Sequence, residues 1–151
     1  MENCLCCLAN SGERRISPGQ AIFDGEFWLV EHAYPTSLLG WTVVRLKRHC
    51  EALHLLSKQE FTELAQIQFA VTKALHELLD LEKEYVACFS EKEGFKHLHV
   101  HVIPKIKGTR PEDGGVNAFR FLGPAAENFL SDQKIVEFSS RIKTAFLAYF
   151  D

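Results

Sequence analysis

The sequence predicts an α+β fold, in which helices pack against an antiparallel sheet. Three observations support this class. Residues 21–32 contain two aromatic and β-branched runs joined around Asp24-Gly25, a strong hairpin turn. Residues 57–80 and the segment from Asp132 onward have the apolar spacing of amphipathic helices. The chain also lacks the strand-helix-strand alternation that is typical of a parallel sheet.

Three further apolar runs predict the strands that follow the hairpin. WTVVRL (41–46) predicts the third strand, EYVACFS (84–90) the fourth, and KHLHVHVIPK (96–105) the fifth. Pro104 is expected to close the apolar run of the fifth strand.

Capping and periodicity predict the two helices. Ser57-Lys58-Gln59-Glu60 matches a capping box, and the helix it opens should run for roughly six turns and end near Asp80. Its apolar positions are Phe61, Leu64, Ile67, Val71, Leu75 and Leu78. The last helix should present one side made of Ile135, Phe138, Ile142, Phe146 and Tyr149. Residues 107–123, rich in Gly, Pro and charge, predict a loop.

Length and charge limit the function classes. A chain of 151 residues with 46% apolar content is most simply one domain, 1–151, with an N-terminal segment (1–19) and a C-terminal loop and helix (107–151). Its 17 Lys and Arg against 20 Asp and Glu argue against general binding to nucleic acid or anionic membranes. No signal peptide or membrane span is evident, so we expect a cytoplasmic protein with reduced thiols.

His97, His99 and His101 occupy alternate positions of the predicted fifth strand. Alternate strand side chains share one face at a spacing of ~7 Å, so the three imidazoles form a column. Such a column suits two chemistries. Neighbouring imidazoles can converge on one metal ion, or one can attack a phosphoryl group while the next donates to its oxygens or to the leaving group. Spacing alone does not choose between them.

The stretch 97–103, HLHVHVI, resembles the His-φ-His-φ-His-φ-φ signature of the histidine triad superfamily, where φ is apolar. Residues 40–49, GWTVVRLKRH, resemble the family's strand that ends in Lys/Arg-His before the long helix. The resemblance covers residues 20–110 and implies a five-stranded antiparallel sheet with a long central helix and a C-terminal helix. It also implies an enzyme that hydrolyses or transfers nucleotides at the α-phosphate of dinucleoside polyphosphates or nucleoside phosphoramidates.

By this resemblance, His99 would be the nucleophile that forms a nucleotidyl-histidine, and His101 would bind the phosphate and assist the leaving group. Further substrate-binding candidates are Lys96, as a replacement phosphate donor, Trp41, where many members carry a histidine, and His32, as a residue lining the pocket. The family's common homodimer with a continuous sheet is expected here on the same basis.

Cys4 and Cys7 form a Cys-x-x-Cys pair, a spacing at which one turn can present two thiolates to zinc. Two such cysteines bind zinc in the superfamily branch that resembles galactose-1-phosphate uridylyltransferase and in some bacterial triad hydrolases. Their partners there are the histidine ending the third strand and the first triad histidine. These positions are His49 and His97, so the resemblance implies a closed, structural Zn²⁺ site. Cys6 in place of one of its neighbours remains an alternative.

The resemblance is incomplete around the nucleotide. Residues 90–96, SEKEGFK, lack the Gly-Gln or Gly-Ser that touches phosphate in many members, with Glu93 in the shortened stretch. Ala33 stands where an acidic residue commonly holds the ribose hydroxyls. Two alternatives therefore stay open. One is a non-catalytic nucleotide-binding or regulatory module, and the other is a metallohydrolase with a catalytic ion on the histidine column.

Overall fold

The computed structural model describes residues 4–123 and 126–150, which form a five-stranded antiparallel sheet flanked by helices. The strands lie in the order β1-β2-β3-β5-β4. Their bounds are Phe23–Asp24 (β1), Trp28–His32 (β2), Thr42–Leu46 (β3), Leu81–Ala87 (β4) and His99–Ile106 (β5). The α-helices are Leu5–Asn10 (α1), Lys58–Leu78 (α2) and Asp132–Leu147 (α3). The predicted α+β class, with its antiparallel sheet, long helix and C-terminal helix, is confirmed.

The hydrophobic core lies between one face of the sheet and helices α2 and α3. The capping box opens α2 as predicted, because Ser57 Oγ accepts from the Glu60 amide at 3.2 Å and the Glu60 carboxylate accepts from the Ser57 amide at 2.7 Å. Fully buried core residues include Trp28, Val30, Val44, Leu46, Ile67, Val71, Leu75, Val102 and Ile142. Two predicted apolar positions differ: Phe61 is 44% exposed, and Tyr149 lies beyond the end of α3.

Strand boundaries differ from the prediction at both ends of β5. The strand begins at His99, so His97 precedes it. It also continues through Pro104 to Ile106. The pairing with β3 ends at Val102, so Pro104 has a neighbouring strand, β4, on one side only. The strand can therefore include a proline, whose missing N–H breaks no hydrogen bond to β3. β4 is likewise displaced, spanning Leu81–Ala87 instead of 84–90.

The segment predicted as a loop, 107–123, contains two 3₁₀ helices, Pro111–Asp113 and Gly115–Phe121. Asp113 holds this segment together by accepting from Arg110 at 2.7 Å and Arg120 at 2.6 Å. Ala118 and Phe119 pack against the sheet face opposite the main core. The sequence did not predict these 3₁₀ helices, because short 3₁₀ helices have no amphipathic period and the segment is rich in glycine, proline and charged residues. Within the described ranges, no helix is long and apolar enough to cross a membrane.

Candidate functional site

His99 and His101 lie on the sheet face opposite α2 and α3, which we call the histidine face. The register with β3 places Arg45 opposite His99 and Val43 opposite His101. Residues directly opposite in an antiparallel pair share a face, so the Arg45 guanidinium belongs to the same surface as the two imidazoles. His101 is 7% exposed and His99 is half-buried. The sheet therefore sets both histidines in a row beside a cation.

His99 has a fixed tautomer. Its Nδ1 lies 2.7 Å from the His97 carbonyl oxygen, and a carbonyl can only accept, so Nδ1 carries the proton. The other ring nitrogen, Nε2, then keeps its lone pair. Burial lowers the pKa of His99, the carbonyl bond opposes this shift, and the Arg45 charge lowers the pKa further. A neutral imidazole with an available Nε2 is a competent nucleophile.

His101 is enclosed by aromatic rings. The Trp41 indole N–H donates to His101 Nδ1 at 3.1 Å. The Phe119 ring meets the His101 ring edge-on at 5.2 Å, and the two imidazole centroids of His99 and His101 lie 5.0 Å apart. Burial, and next the neighbouring His99, lower the pKa of His101 to about 3. His101 is therefore neutral at physiological pH.

Cys4, Cys7, His49 and His97 form a cluster, hereafter the four-ligand cluster, whose donor atoms all lie within 4.8 Å of one another. His97 Nδ1 is 3.5 Å from both sulfurs, and His49 Nδ1 is 3.4 Å from Cys7 Sγ. Zinc bonds of ~2.3 Å to sulfur and ~2.0 Å to nitrogen in a tetrahedron put these atoms ~3.5 Å apart. The cluster therefore has the dimensions and donor set of a zinc site.

The outer hydrogen bonds of the two cluster histidines orient their donor nitrogens. His97 Nε2–H donates to the Leu46 carbonyl at 2.7 Å, which leaves the lone pair on Nδ1, facing the sulfurs. His49 Nε2 lies 3.3 Å from the Glu51 carboxylate, with the same effect. Burial lowers the pKa of His97 to about 4, so its ring is neutral and free to bind a metal. Cys6 lies outside this cluster, buried at 2% exposure.

The other predicted substrate-binding residues are placed differently. His32 lies on the core face, donates from Nδ1 to the Ala33 carbonyl at 2.8 Å and accepts from the Gly40 amide at 3.0 Å. It packs edge-on against Phe138, so the expectation that it lines the pocket is wrong. Trp41 is fully buried and contacts the site through His101 and Phe119. Lys96 is exposed and pairs with Glu93 at 3.2 Å.

Sequence reasoning missed two parts of the histidine face. Arg45 is 4% exposed and fixed by Glu31 at 2.8 Å and Asn10 at 2.6 Å. The signal was present, since Arg45 interrupts an otherwise apolar strand. Phe119, and Phe89 at 5.5 Å from it, form an aromatic wall beside His101. Phe119 lies in a segment without a strand or helix period, and Phe89 was assigned to the predicted fourth strand without any sign that it borders His101.

No protein-family model matches the sequence, and no curated protein matches it. Solved structures do. A zinc-bound histidine triad family protein from Mycobacterium smegmatis is 19% identical, with 96% of this chain and 94% of that chain covered and a TM-score of 0.66. A uridylyltransferase is also 19% identical, with 98% and 46% covered and a TM-score of 0.65. Plasmodium falciparum diadenosine triphosphate hydrolase is 12% identical, with 87% and 78% covered and a TM-score of 0.63. The chain therefore has the histidine triad fold.

Proposed function

We propose that the protein is a nucleotide hydrolase or nucleotidyl transferase that acts at the α-phosphate through a covalent nucleotidyl-His99. One observation carries the proposal: His99 donates its Nδ1 proton to the His97 carbonyl at 2.7 Å and so keeps a lone pair on Nε2. The solved structures with the same fold include a nucleotide hydrolase and a uridylyltransferase, which supports this class of reaction.

The reaction has two steps. His99 Nε2 attacks the α-phosphorus, and the bond from that phosphorus to the leaving group breaks with its electron pair on the leaving group. Water or an acceptor hydroxyl then attacks the same phosphorus and its proton passes to solvent. The P–N bond breaks with its electron pair on Nε2, and His99 is restored. Arg45, opposite His99, is the cation nearest to the phosphoryl group in this scheme, with part of its charge offset by Glu31 at 2.8 Å. His101 donates a hydrogen bond to a phosphoryl oxygen.

We propose that Cys4, Cys7, His49 and His97 hold a structural Zn²⁺. The ion would supply a closed cross-link between segments, since four protein ligands leave no position for water. The ligand dimensions and the zinc-bound structure of the same fold support this assignment. The cluster includes neither His99 nor His101, which favours a histidine nucleophile over a catalytic ion on the histidine column.

The resemblance to the histidine triad superfamily also supports proposals about domain organisation, oligomeric state and location. We propose that residues 1–151 form one domain, that two copies pair as a homodimer and that the protein works in the cytoplasm. Gel filtration with light scattering would test the dimer: a mass of about one chain at working concentration contradicts it.

The nucleophile is tested by mass spectrometry of the intact protein. Wild type, His99→Ala and the control His76→Ala, an exposed residue on α2, are mixed briefly with diadenosine tetraphosphate or adenosine 5′-phosphoramidate and quenched. We expect a nucleotidyl adduct in wild type and His76→Ala only. Turnover by His99→Ala should fall by at least about a thousandfold, since loss of a nucleophile removes the covalent route.

Three outcomes would contradict this function. Nucleotide binding without adduct or turnover in wild type indicates a regulatory module, an alternative that the buried Trp41 and the replacement at Ala33 favour. Turnover that chelators abolish and added metal restores, with no nucleotidyl adduct, indicates a metallohydrolase. Turnover by His99→Ala within tenfold of wild type excludes His99 as the nucleophile.

A further inference from the structure

The hydrogen bond between Trp41 and His101 determines where His101 carries its proton. An indole nitrogen can only donate, so His101 Nδ1, at 3.1 Å, must accept and holds a lone pair. The single proton of the neutral ring is therefore on Nε2. Protonation of Nδ1 would set two N–H groups against each other inside a buried contact, since Trp41 is fully buried and His101 is 7% exposed.

Packing prevents the His101 ring from escaping this arrangement. Trp41 meets the ring edge-on at 5.7 Å and Phe119 does so at 5.2 Å. Phe119 also packs edge-on against Trp41 at 5.2 Å, so the two aromatic residues brace each other as well as the imidazole. Exchanging Nδ1 and Nε2 by a ring flip would require both neighbours to move, and it would break the bond to the indole.

The ionisable group packed against His101 cannot supply a proton either. It is His99, whose Nδ1–H is engaged with the His97 carbonyl at 2.7 Å and whose Nε2 is the proposed nucleophile. Burial opposes a second proton on His101 itself, whose pKa is lowered to about 3. Among the residues that the structure describes, the site thus holds a hydrogen-bond donor at His101 Nε2 but no group poised as a general acid.

We propose that Trp41 confines His101 to the role of a neutral hydrogen-bond donor and thereby restricts the enzyme to phosphoric anhydride substrates, such as dinucleoside polyphosphates, over nucleoside phosphoramidates. Trp41 is a positioning residue in this scheme, since it acts through His101. The inference rests on the proposed function and narrows its substrate class.

The two leaving groups differ in their need for a proton. When His99 Nε2 attacks an anhydride, the α-phosphorus–oxygen bond breaks and the electron pair stays on a phosphate oxygen, an anion that is stable in water. In a phosphoramidate the electron pair would stay on nitrogen, which must gain a proton to leave. His101 could give that proton only by becoming an imidazolate anion, because its Nδ1 holds no proton.

The first experiment compares the wild-type enzyme on the two substrates. We expect kcat/KM for diadenosine tetraphosphate to exceed that for adenosine 5′-phosphoramidate by at least about a hundredfold. This is the lower end of the rate enhancement that a general acid usually contributes. Similar values for the two substrates would overturn the restriction. If neither substrate is turned over and no His99 adduct forms, the proposed function fails and the substrate restriction fails with it.

The second experiment reads the tautomer directly. Nitrogen-15 NMR of His101 in the wild-type protein should show a protonated Nε2 and an unprotonated Nδ1 at neutral pH. Trp41→Phe keeps an aromatic ring but removes the N–H, and it should allow a mixture of tautomers. A proton on Nδ1 in wild type, or an unchanged tautomer in Trp41→Phe, would overturn the role of Trp41 whatever the activity.

A third arm restores a partner that can both donate and accept. Trp41→His lets His101 Nδ1 take up a proton, so the ratio of kcat/KM for anhydride over phosphoramidate should fall by about tenfold or more. Trp41→Phe is the matched control: it frees the neutral ring to change its tautomer, but it offers no acceptor for a second proton on Nδ1, so the ratio should stay close to that of wild type. An equal change of the ratio in both variants would show that only packing matters, and would overturn the proposal.

Discussion

Removal of zinc should lower the thermal stability of the protein sharply. The four-ligand cluster joins three segments that are distant along the chain: α1, the end of β3 and the residues that precede β5. An ion present at a thousandfold excess over its dissociation constant stabilises the folded state by about 4 kcal/mol. For a chain of this length each kcal/mol shifts the melting temperature by about 2–4 °C, so chelation should lower it by roughly 8–16 °C.

The assay combines metal content with melting curves. Inductively coupled plasma mass spectrometry should find about one zinc ion per chain in the purified protein. Circular dichroism then follows melting with and without a chelator, in wild type, Cys7→Ser and Cys88→Ser. Cys88 is the matched control, because it is a half-buried thiol outside the cluster. Cys7→Ser should melt low in both conditions, and Cys88→Ser should respond as wild type does.

Three results would refute the reasoning. The first is a purified protein without zinc that cannot take it up. The second is a zinc-loaded protein whose melting temperature changes by less than about 2 °C on chelation, well below the shift expected from linkage. The third is an equal loss of chelator response in Cys88→Ser and Cys7→Ser, which would mean that the response does not come from the cluster.

Two further predictions concern stability. Burial lowers the pKa of His32 to about 4; the unfolded chain gains a proton near pH 6.5 and the folded chain does not, so stability is lost as the pH falls between these values. The free energy of unfolding, measured with urea at about pH 7.5 and about pH 4.5, should fall by about 2–3 kcal/mol less in His32→Gln than in wild type. An equal fall in the two proteins would contradict this role of His32. Ser57→Ala should cost about 1 kcal/mol by removing the acceptor for the Glu60 amide, whereas Ser140→Ala, on the exposed side of α3, should change little; equal costs in urea unfolding would count against the cap.

Elements whose signals are local could be predicted from the sequence. The capping box and apolar spacing after Ser57 identified α2, and Asp24-Gly25 identified the first hairpin. The order of the strands could not be predicted, because β5 lies between β3 and β4 by pairing segments that are more than fifty residues apart. Such pairing depends on the whole folded chain and has no local signature.

The candidate site shows the same division. His99 and the cluster cysteines could be proposed from the sequence because their side-chain types and spacing are typical of chemical sites. His32 was misplaced although the signal was available, since it follows Trp28 and Val30 at alternate positions and therefore shares their core face. The bond from Trp41 to His101 could not be anticipated, because it joins the residue that precedes β3 to a residue of β5 and depends on the rotamers of both side chains.

The separation of the cluster residues along the chain also determines when the proposed metal centre can be completed during synthesis. Cys7 and His97 are 90 residues apart. At about 5–20 residues per second, a ribosome makes His97 roughly 5–20 s after Cys7. The two thiols therefore emerge well before the last histidine partner. Asn10 of α1 can already bind Leu46 of β3, but the cluster can close only after His97 has been made. Cys4 and Cys7 are thus made early in this stretch of chain and are among the last residues to complete their contacts.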